Sequence, residues 1–307
     1  MHTTICLNPA FDKTVTVAQL RPGEVNRILQ VRQDMGGKGI NVAVVAHRLG
    51  LSVRCIGCMG ENGSSLLKEM MTAEGFQWEF MTIPGSVRTN LKVVSQNSQG
   101  VTEFNEPGCL MDQAQLESFI RLAREKTKNN GFTVLTGSLP PGCPETTYRD
   151  LILALEGHPC ILDAEGDILL RGVEANPYLV KPNLTELEAA LNISLRTLRS
   201  IREAAYVLMR KGAQAVIVSM GKMGAMFTDG HQTLYSPGLN VKAMSTVGAG
   251  DAMVGGVLFG LEKGESLPRA FRYGMAAGAA SVMTEGTQLI RPEDFETLLH
   301  QVKVQEV

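Results

Sequence analysis

Strand signals and helix signals alternate through most of this chain, and that alternation confines it to few folds. Short apolar runs over 3–7, 53–58, 132–136, 160–163, 178–180 and 215–219 read as strands. Helical periodicity falls between and after them, over 40–49, 63–74, 145–155, 185–191, 197–211, 251–262, 267–284 and 292–302. Asp112, with Gln115 three residues on, has the form of a capping box opening a further helix. Residues 225–228 and 233–236 read as a hairpin. Repeated strand-then-helix units predict an α/β fold: a doubly wound, mainly parallel sheet with helices on both faces.

Two stretches break the rhythm. Residues 13–33 and 88–105 alternate apolar and polar side chains and carry turn signals, as in Val15-Thr16-Val17. They read as antiparallel strands with one wet face, a small sheet standing off a single large domain as insertions over about 12–34 and 86–106. Such a flap suits a lid that excludes water from a site. An ordinary edge extension or a dimer patch fits the same pattern.

Bulk properties exclude several classes. A net charge of −2 lacks the basic footprint of a general nucleic-acid binder. No run of about 18 apolar residues is present, so no membrane span is expected. The first residues, Met1-His2-Thr3-Thr4-Ile5-Cys6, lack the basic-then-apolar form of a signal peptide. Six cysteines scattered in apolar company read as reduced thiols of a cytoplasmic protein. Cys55 and Cys58 have Cys-x-x-Cys spacing, but they fall inside a core strand with no second ligand pair, and read as buried strand cysteines.

The stretch with the most chemistry is Ser245-Thr246-Val247-Gly248-Ala249-Gly250-Asp251. Small residues at the mouth of a helix leave backbone N–H groups uncovered for an anion, and Asp251 stands beside them. A carboxylate next to an anion pocket can take a proton from a hydroxyl while phosphate charge develops, which points to phosphoryl transfer. The stretch is not a dinucleotide fingerprint, because Met253 holds the place of the third glycine. Nor is there a Walker A loop, since Gly37-Lys38 is followed by Gly39 instead of Ser or Thr.

Four other loops fall where strands end: Asn8-Pro9-Ala10-Phe11-Asp12, Gly36-Gly37-Lys38-Gly39-Ile40-Asn41, Gly137-Ser138-Leu139-Pro140-Pro141-Gly142 and Lys181-Pro182-Asn183-Leu184-Thr185-Glu186-Leu187. Strand ends are where α/β sheets hold ligands. Together with residues 247–251, and in this order, the set resembles the ribokinase-like (PfkB) family of carbohydrate kinases, from residue 4 to about 291. The resemblance implies an ATP-dependent sugar kinase with a β-sheet lid, a homodimer joined through the lids, and Mg2+ as the partner of ATP.

It also implies roles. Asp251 becomes the catalytic base, and Gly248, Ala249 and Gly250 the anion hole. Asp12, Gly37, Lys38, Asn41, Arg88, Arg27 and Ser138 fall to the acceptor. Lys181, Asn183, Ser219, Gly221, Gly224 and Thr246 fall to ATP. Asn183 and Glu186, expected to share a helix face, would organise magnesium through water. By the same analogy, carbonyls near Ser245, Val247 and Gly286 would hold a monovalent cation such as K+.

The first two loops, with Lys38, Arg88 and Arg27 as added cations, resemble the phosphosugar branch, in which the acceptor is a ketohexose phosphate. Thr102-Glu103-Phe104-Asn105-Glu106-Pro107-Gly108 and Lys38 most resemble the 1-phosphofructokinase type. The implied reaction is fructose 1-phosphate to fructose 1,6-bisphosphate, with Lys38 and Arg88 on the C1 phosphate. Tagatose 6-phosphate and fructose 6-phosphate stay open as acceptors, and a non-catalytic sugar-phosphate sensor is the alternative of a different class.

Overall fold

The computed structural model describes all residues except 98–100, 129–130 and 287. Its strands are β1 (His2–Cys6), β2 (Ala10–Val17), β3 (Ile28–Gly36), β4 (Val53–Asn62), β5 (Gln77–Ser86), β6 (Arg88–Ser95), β7 (Val101–Asn105), β8 (Thr133–Thr136), β9 (Cys160–Asp163), β10 (Leu179–Val180), β11 (Val216–Ser219), β12 (Ala225–Thr228), β13 (Thr233–Ser236) and β14 (Gln305–Glu306). Its helices are α1 (Lys38–Arg48), α2 (Ser64–Glu74), α3 (Gln113–Thr127), α4 (Thr147–Ala154), α5 (Gly166–Gly172), α6 (Leu184–Leu191), α7 (Leu198–Lys211), α8 (Ala249–Glu262), α9 (Leu267–Ser281) and α10 (Pro292–Leu299).

Ten strands form one sheet in the order β14-β13-β12-β11-β10-β9-β8-β1-β4-β5. From β5 to β11 every neighbour is parallel, and β12, β13 and β14 add an antiparallel edge. Side chains alternate across this sheet as the strand period of two requires. Val134, Ile161, Leu179 and Ile217 pack into one core with α1, α8 and α9, while Leu135, Leu162, Val180 and Val218 pack into the other with α3, α4 and α7. Both faces are covered, which is why the strands read as continuous apolar runs. Cys55 and Cys58 lie on opposite faces of β4, one in each core, so neither a disulfide nor a shared metal is available to them.

From β1 the chain works outward to β4 and β5, then returns to β8 on the other side and works outward again. The strand order therefore reverses between β1 and β8, and the loops after these strands diverge to leave a crevice.

The second sheet has the order β3-β2-β6-β7. The hairpins β2–β3 and β6–β7 are antiparallel, but the central pair, β2 and β6, is parallel over Ala10–Val17 and Arg88–Ser95. The antiparallel expectation holds within each segment and fails between them. Both segments leave the main sheet in the same direction, one just after β1 and the other just after the parallel strand β5. Its own core is small: Val15, Val17 and Val93, with Leu20 and Leu91 against them.

Three elements went unseen in the sequence: β5, α5 and the two-residue β14. In β5, Pro84-Gly85 interrupts the strand signal, and the seven residues of α5 are too few to show a period. The capping box of α3 is formed as expected, with the Asp112 carboxylate accepting from Gln115 N and the Gln115 side chain from Asp112 N, both at 2.8 Å. Among the described residues no helix is long and apolar enough to cross a membrane.

Candidate active site

Two helix N-termini converge above the crevice. Helix α8 starts at Ala249, two residues earlier than its periodicity suggested, after Gly248 takes a left-handed conformation (φ 79°) that favours glycine. Gly250 and Asp251 thus sit in the first turn. The amides of Gly248, Gly250 and Asp251 make no backbone hydrogen bond among the described residues, which leaves them for an anion. Helix α1 begins at Lys38, directly after Gly36-Gly37, and its Asn41 Nδ2 donates to Asp251 Oδ2 at 2.8 Å.

Asp251 is 5% exposed. Burial pushes its carboxyl up to about 7; the nearby Lys38 charge pulls it down, the Asp163 charge pushes it up, and the Asn41 bond lowers it. A carboxyl poised there can take a proton from an alcohol near neutral pH.

Beneath α8 lies a buried charge array. Asp163, at the C-terminal end of β9, has Lys181 Nζ at 3.3 Å and Lys38 Nζ at 3.7 Å, and accepts from Thr136 Oγ1 at 3.2 Å. The two ammonium groups hold the Asp163 carboxyl below the usual range against its own burial. Lys38 Nζ is also 3.7 Å from Glu186 Oε1, and the surrounding carboxylates, Asp163 foremost, raise its pKa. The sequence reading assigns Lys38 to the C1 phosphate of the acceptor, whereas in the structure its ammonium group is engaged by Asp163 and Glu186, toward the α6 terminus.

Asn183 and Glu186 do not lie side by side on a helix face. Asn183 is the N-cap of α6, and the two form a capping box: Asn183 Oδ1 accepts from Glu186 N and Glu186 Oε2 from Asn183 N, each at 2.8 Å. The sequence pattern Asn-x-x-Glu satisfies two helix-end donors, and that decides the local geometry. Glu186 uses only Oε2 in this box, and its Oε1 faces Lys38 Nζ. Ser219, at the end of β11, is drawn to this turn by its N–H bond to Pro182 O (3.1 Å) and a bridge to Asn183. Gly221 and Gly224 shape the turn that follows, and Thr246 is exposed on the approach to α8.

On the small sheet, Asp12 is 4% exposed and both its oxygens are engaged from β6: Asn90 Nδ2 at 2.9 Å and Lys92 Nζ at 2.7 Å. Gly37 joins this sheet to α1. Arg88, at the base of β6, donates to Asn8 O (3.1 and 3.0 Å), Glu106 O (3.2 Å) and Ser138 Oγ (3.2 Å). It knots together the two chain crossings between the sheets. Ser138 also receives Asn8 Nδ2 at 3.3 Å, so it belongs to the same knot. Arg27 is exposed on the loop before β3, with no side-chain partner among the described residues.

Asn41, Asp251, Lys38, Asp163, Lys181 and Glu186 thus form one connected group, and Asp12, Asn90 and Lys92 another at the small sheet. Asp163, Asn90 and Lys92 escaped the sequence reading. Asp163 had a signal, a lone carboxylate closing a four-residue apolar strand. So did Arg88, Asn90 and Lys92, three polar residues at every second position of one strand.

The pfkB family carbohydrate kinase model matches residues 7–294. This chain belongs to the pfkB family of carbohydrate kinases. As a pfkB kinase it is 34% identical over 303 residues to a 1-phosphofructokinase of Vibrio cholerae, covering 98% of this chain and 95% of that one. Among solved structures, phosphofructokinase-2 of Escherichia coli in complex with potassium is 31% identical, with a TM-score of 0.91 over 97% of this chain and 98% of that one. A tetrameric inhibited form of the same E. coli enzyme is 30% identical, with a TM-score of 0.90 over 98% of each chain. Family membership makes the protein a carbohydrate kinase on a ribokinase-like α/β fold, as the resemblance implied.

Proposed function

We propose that this pfkB kinase transfers the γ-phosphoryl group of ATP to the C6 hydroxyl of fructose 1-phosphate, releasing ADP and fructose 1,6-bisphosphate. The observation that carries the chemistry is Asp251: a buried carboxyl raised to about 7, beside unpaired N–H groups at the start of α8. Asp251 accepts the hydroxyl proton as the alkoxide oxygen bonds to phosphorus and the bond to the ADP oxygen breaks. The amides of Gly248 and Gly250 receive the charge that builds on the phosphoryl oxygens, with Ala249 completing the turn. Lys181 and Lys38, held by Asp163, supply positive charge on either side. Asn41 keeps Asp251 in place.

The Asn183/Glu186 turn suits magnesium held through water: Glu186 Oε1, outside the capping box, faces Lys38 Nζ at 3.7 Å, and among the described residues no cluster of acidic, His or Cys side chains forms a direct metal cage. Magnesium bound with ATP would offset phosphate charge there. A monovalent cation on carbonyls near Ser245, Val247 and Gly286 is in keeping with the potassium complex of the E. coli relative.

On the acceptor side, Asp12 binds sugar hydroxyls, with Gly37, Ser138, Arg88 and Arg27 around the acceptor. The small sheet acts as a lid that keeps water from the phosphoryl group. Its edge strands bear exposed apolar residues, Ile28, Leu29 and Val31 on β3 and Val101 and Phe104 on β7. Pairing with a second copy would cover them, which supports a lid-to-lid dimer as the unit from which larger assemblies form.

The identity of the curated relative favours fructose 1-phosphate over other ketohexose phosphates. The test is ADP release with fructose 1-phosphate, tagatose 6-phosphate and fructose 6-phosphate in parallel. A kcat/KM at least tenfold higher for fructose 1-phosphate is expected. A higher value for either of the others reassigns the acceptor, and no turnover with any favours a sensor.

A further inference from the structure

On the face of the lid that carries Asp12, the ladder fixes which residues are neighbours. Asp12 lies opposite Asn90, and Thr14 opposite Lys92, in the parallel pairing of β2 with β6. Residues two apart on a strand share a face, so Lys92 is the diagonal neighbour of Asp12 and its four-carbon stem spans the gap. Lys92 Nζ lies 2.7 Å from Asp12 Oδ2, with side chains only 7% and 5% exposed.

An ammonium group has three N–H donors. One is given to Asp12, and Lys92 has no other hydrogen-bond or ionic partner among the described residues. Two donors of a buried cation therefore have no protein acceptor, which native structures rarely leave so. The pair is not explained by stability either. A buried ion pair commonly contributes less to stability than an apolar pair of the same volume.

We propose that Lys92 is an acceptor-binding residue: one N–H fixes the Asp12 carboxylate, and the other two bond to oxygen atoms of the sugar phosphate seated on Asp12. This rests on the reading of Asp12 as the sugar anchor. Its charge also cancels that of Asp12, so a dianionic acceptor meets a neutral pair instead of a lone carboxylate. Lys92 then contributes directly to recognition of a phosphorylated ketose, through contacts that ATP does not share.

The test compares the wild type with Lys92→Met, Asp12→Asn and the double variant Asp12→Asn/Lys92→Met. The acceptor is whichever of the three ketohexose phosphates the wild type turns over best, so a wrong choice of sugar does not disturb the outcome. Lys92→Met is expected to raise the acceptor KM at least ~30-fold while the ATP KM stays within about twofold, the scale of losing charge-assisted hydrogen bonds. Lys92→Met strands a buried carboxylate and can fail to fold, so the double variant, which removes both charges, decides. If Lys92 touches the acceptor, the double variant has an acceptor KM at least ~10-fold above that of Asp12→Asn alone. If the two are equal in acceptor KM, with matching thermal melts, Lys92 acts only on Asp12 and the proposal is overturned.

Discussion

The Lys181 ammonium nitrogen stands 3.0 Å from the point that a Cβ on Gly250 would occupy. The first turn of α8 therefore packs against a buried cation, and Gly250 is glycine because a methyl group there would press on that cation. Gly250→Ala is expected to displace Lys181 or tilt the helix start. Either movement misaligns the amides facing the phosphoryl group, and kcat should fall on the order of 100-fold, the cost of losing one such donor. Acceptor KM should change little. A steady-state assay at saturating ATP checks this.

The Asp251 carboxyl, raised to about 7 by burial, sets the pH response. Activity requires the ionised form, so kcat should rise with pH through about 7 and level off above it. Lys38 lowers the Asp251 pKa through its charge. Lys38→Met should therefore move the acid limb toward higher pH, in addition to lowering the plateau. A pH–rate profile of the two proteins measures the displacement, and a limb that stays put or moves to lower pH contradicts the assigned electrostatics.

The same group bears on stability. Its folded pKa lies above the unfolded value of about 3.9, so between those values the folded state holds a proton that the unfolded state has released. Stability from this group is full below about pH 4 and is lost as pH rises to about 7, by up to roughly 4 kcal/mol. Asp251→Asn removes that loss. Its melting temperature should exceed the wild type's at pH 8, with the gap closing toward pH 5.

Asp112 and Asn183 form the same capping motif on α3 and α6, and only one of them faces the site. Replacing either with Ala should lower stability by about 1 kcal/mol. Asn183→Ala should also raise the magnesium concentration needed for half-maximal rate, while Asp112→Ala should leave the kinetics unchanged. Chemical denaturation and magnesium titration separate the two effects.

Much of this was readable because local rules and the global fold agree. The strands β8, β9 and β11 carry apolar side chains on both faces, so each announces itself as a run, and the Asp112 box needs only four residues to be seen. The site loops were legible for a related reason: strand ends in a doubly wound sheet collect ligand-binding residues, and glycine marks where backbone must come close. Tertiary partners were not legible. Nothing local tells that Lys92 reaches Asp12 across 80 positions or that Asp163 gathers two lysines. The Asn183/Glu186 pattern shows the opposite failure, since one spacing serves both a capping box and a pair on a shared face. Only the chain direction at the helix start, visible in three dimensions, decides which geometry forms.

The most direct measurement of the central claim is single-turnover phosphoryl transfer by Asp251→Asn, with ATP binding followed in the same samples. The replacement keeps the shape and the contact with Asn41 but cannot accept the hydroxyl proton. The expected result is transfer slowed by a factor on the order of 10³, at the middle of the range for general-base loss, with ATP affinity within about twofold of the wild type. Transfer within about threefold of the wild-type rate would contradict Asp251 as the base.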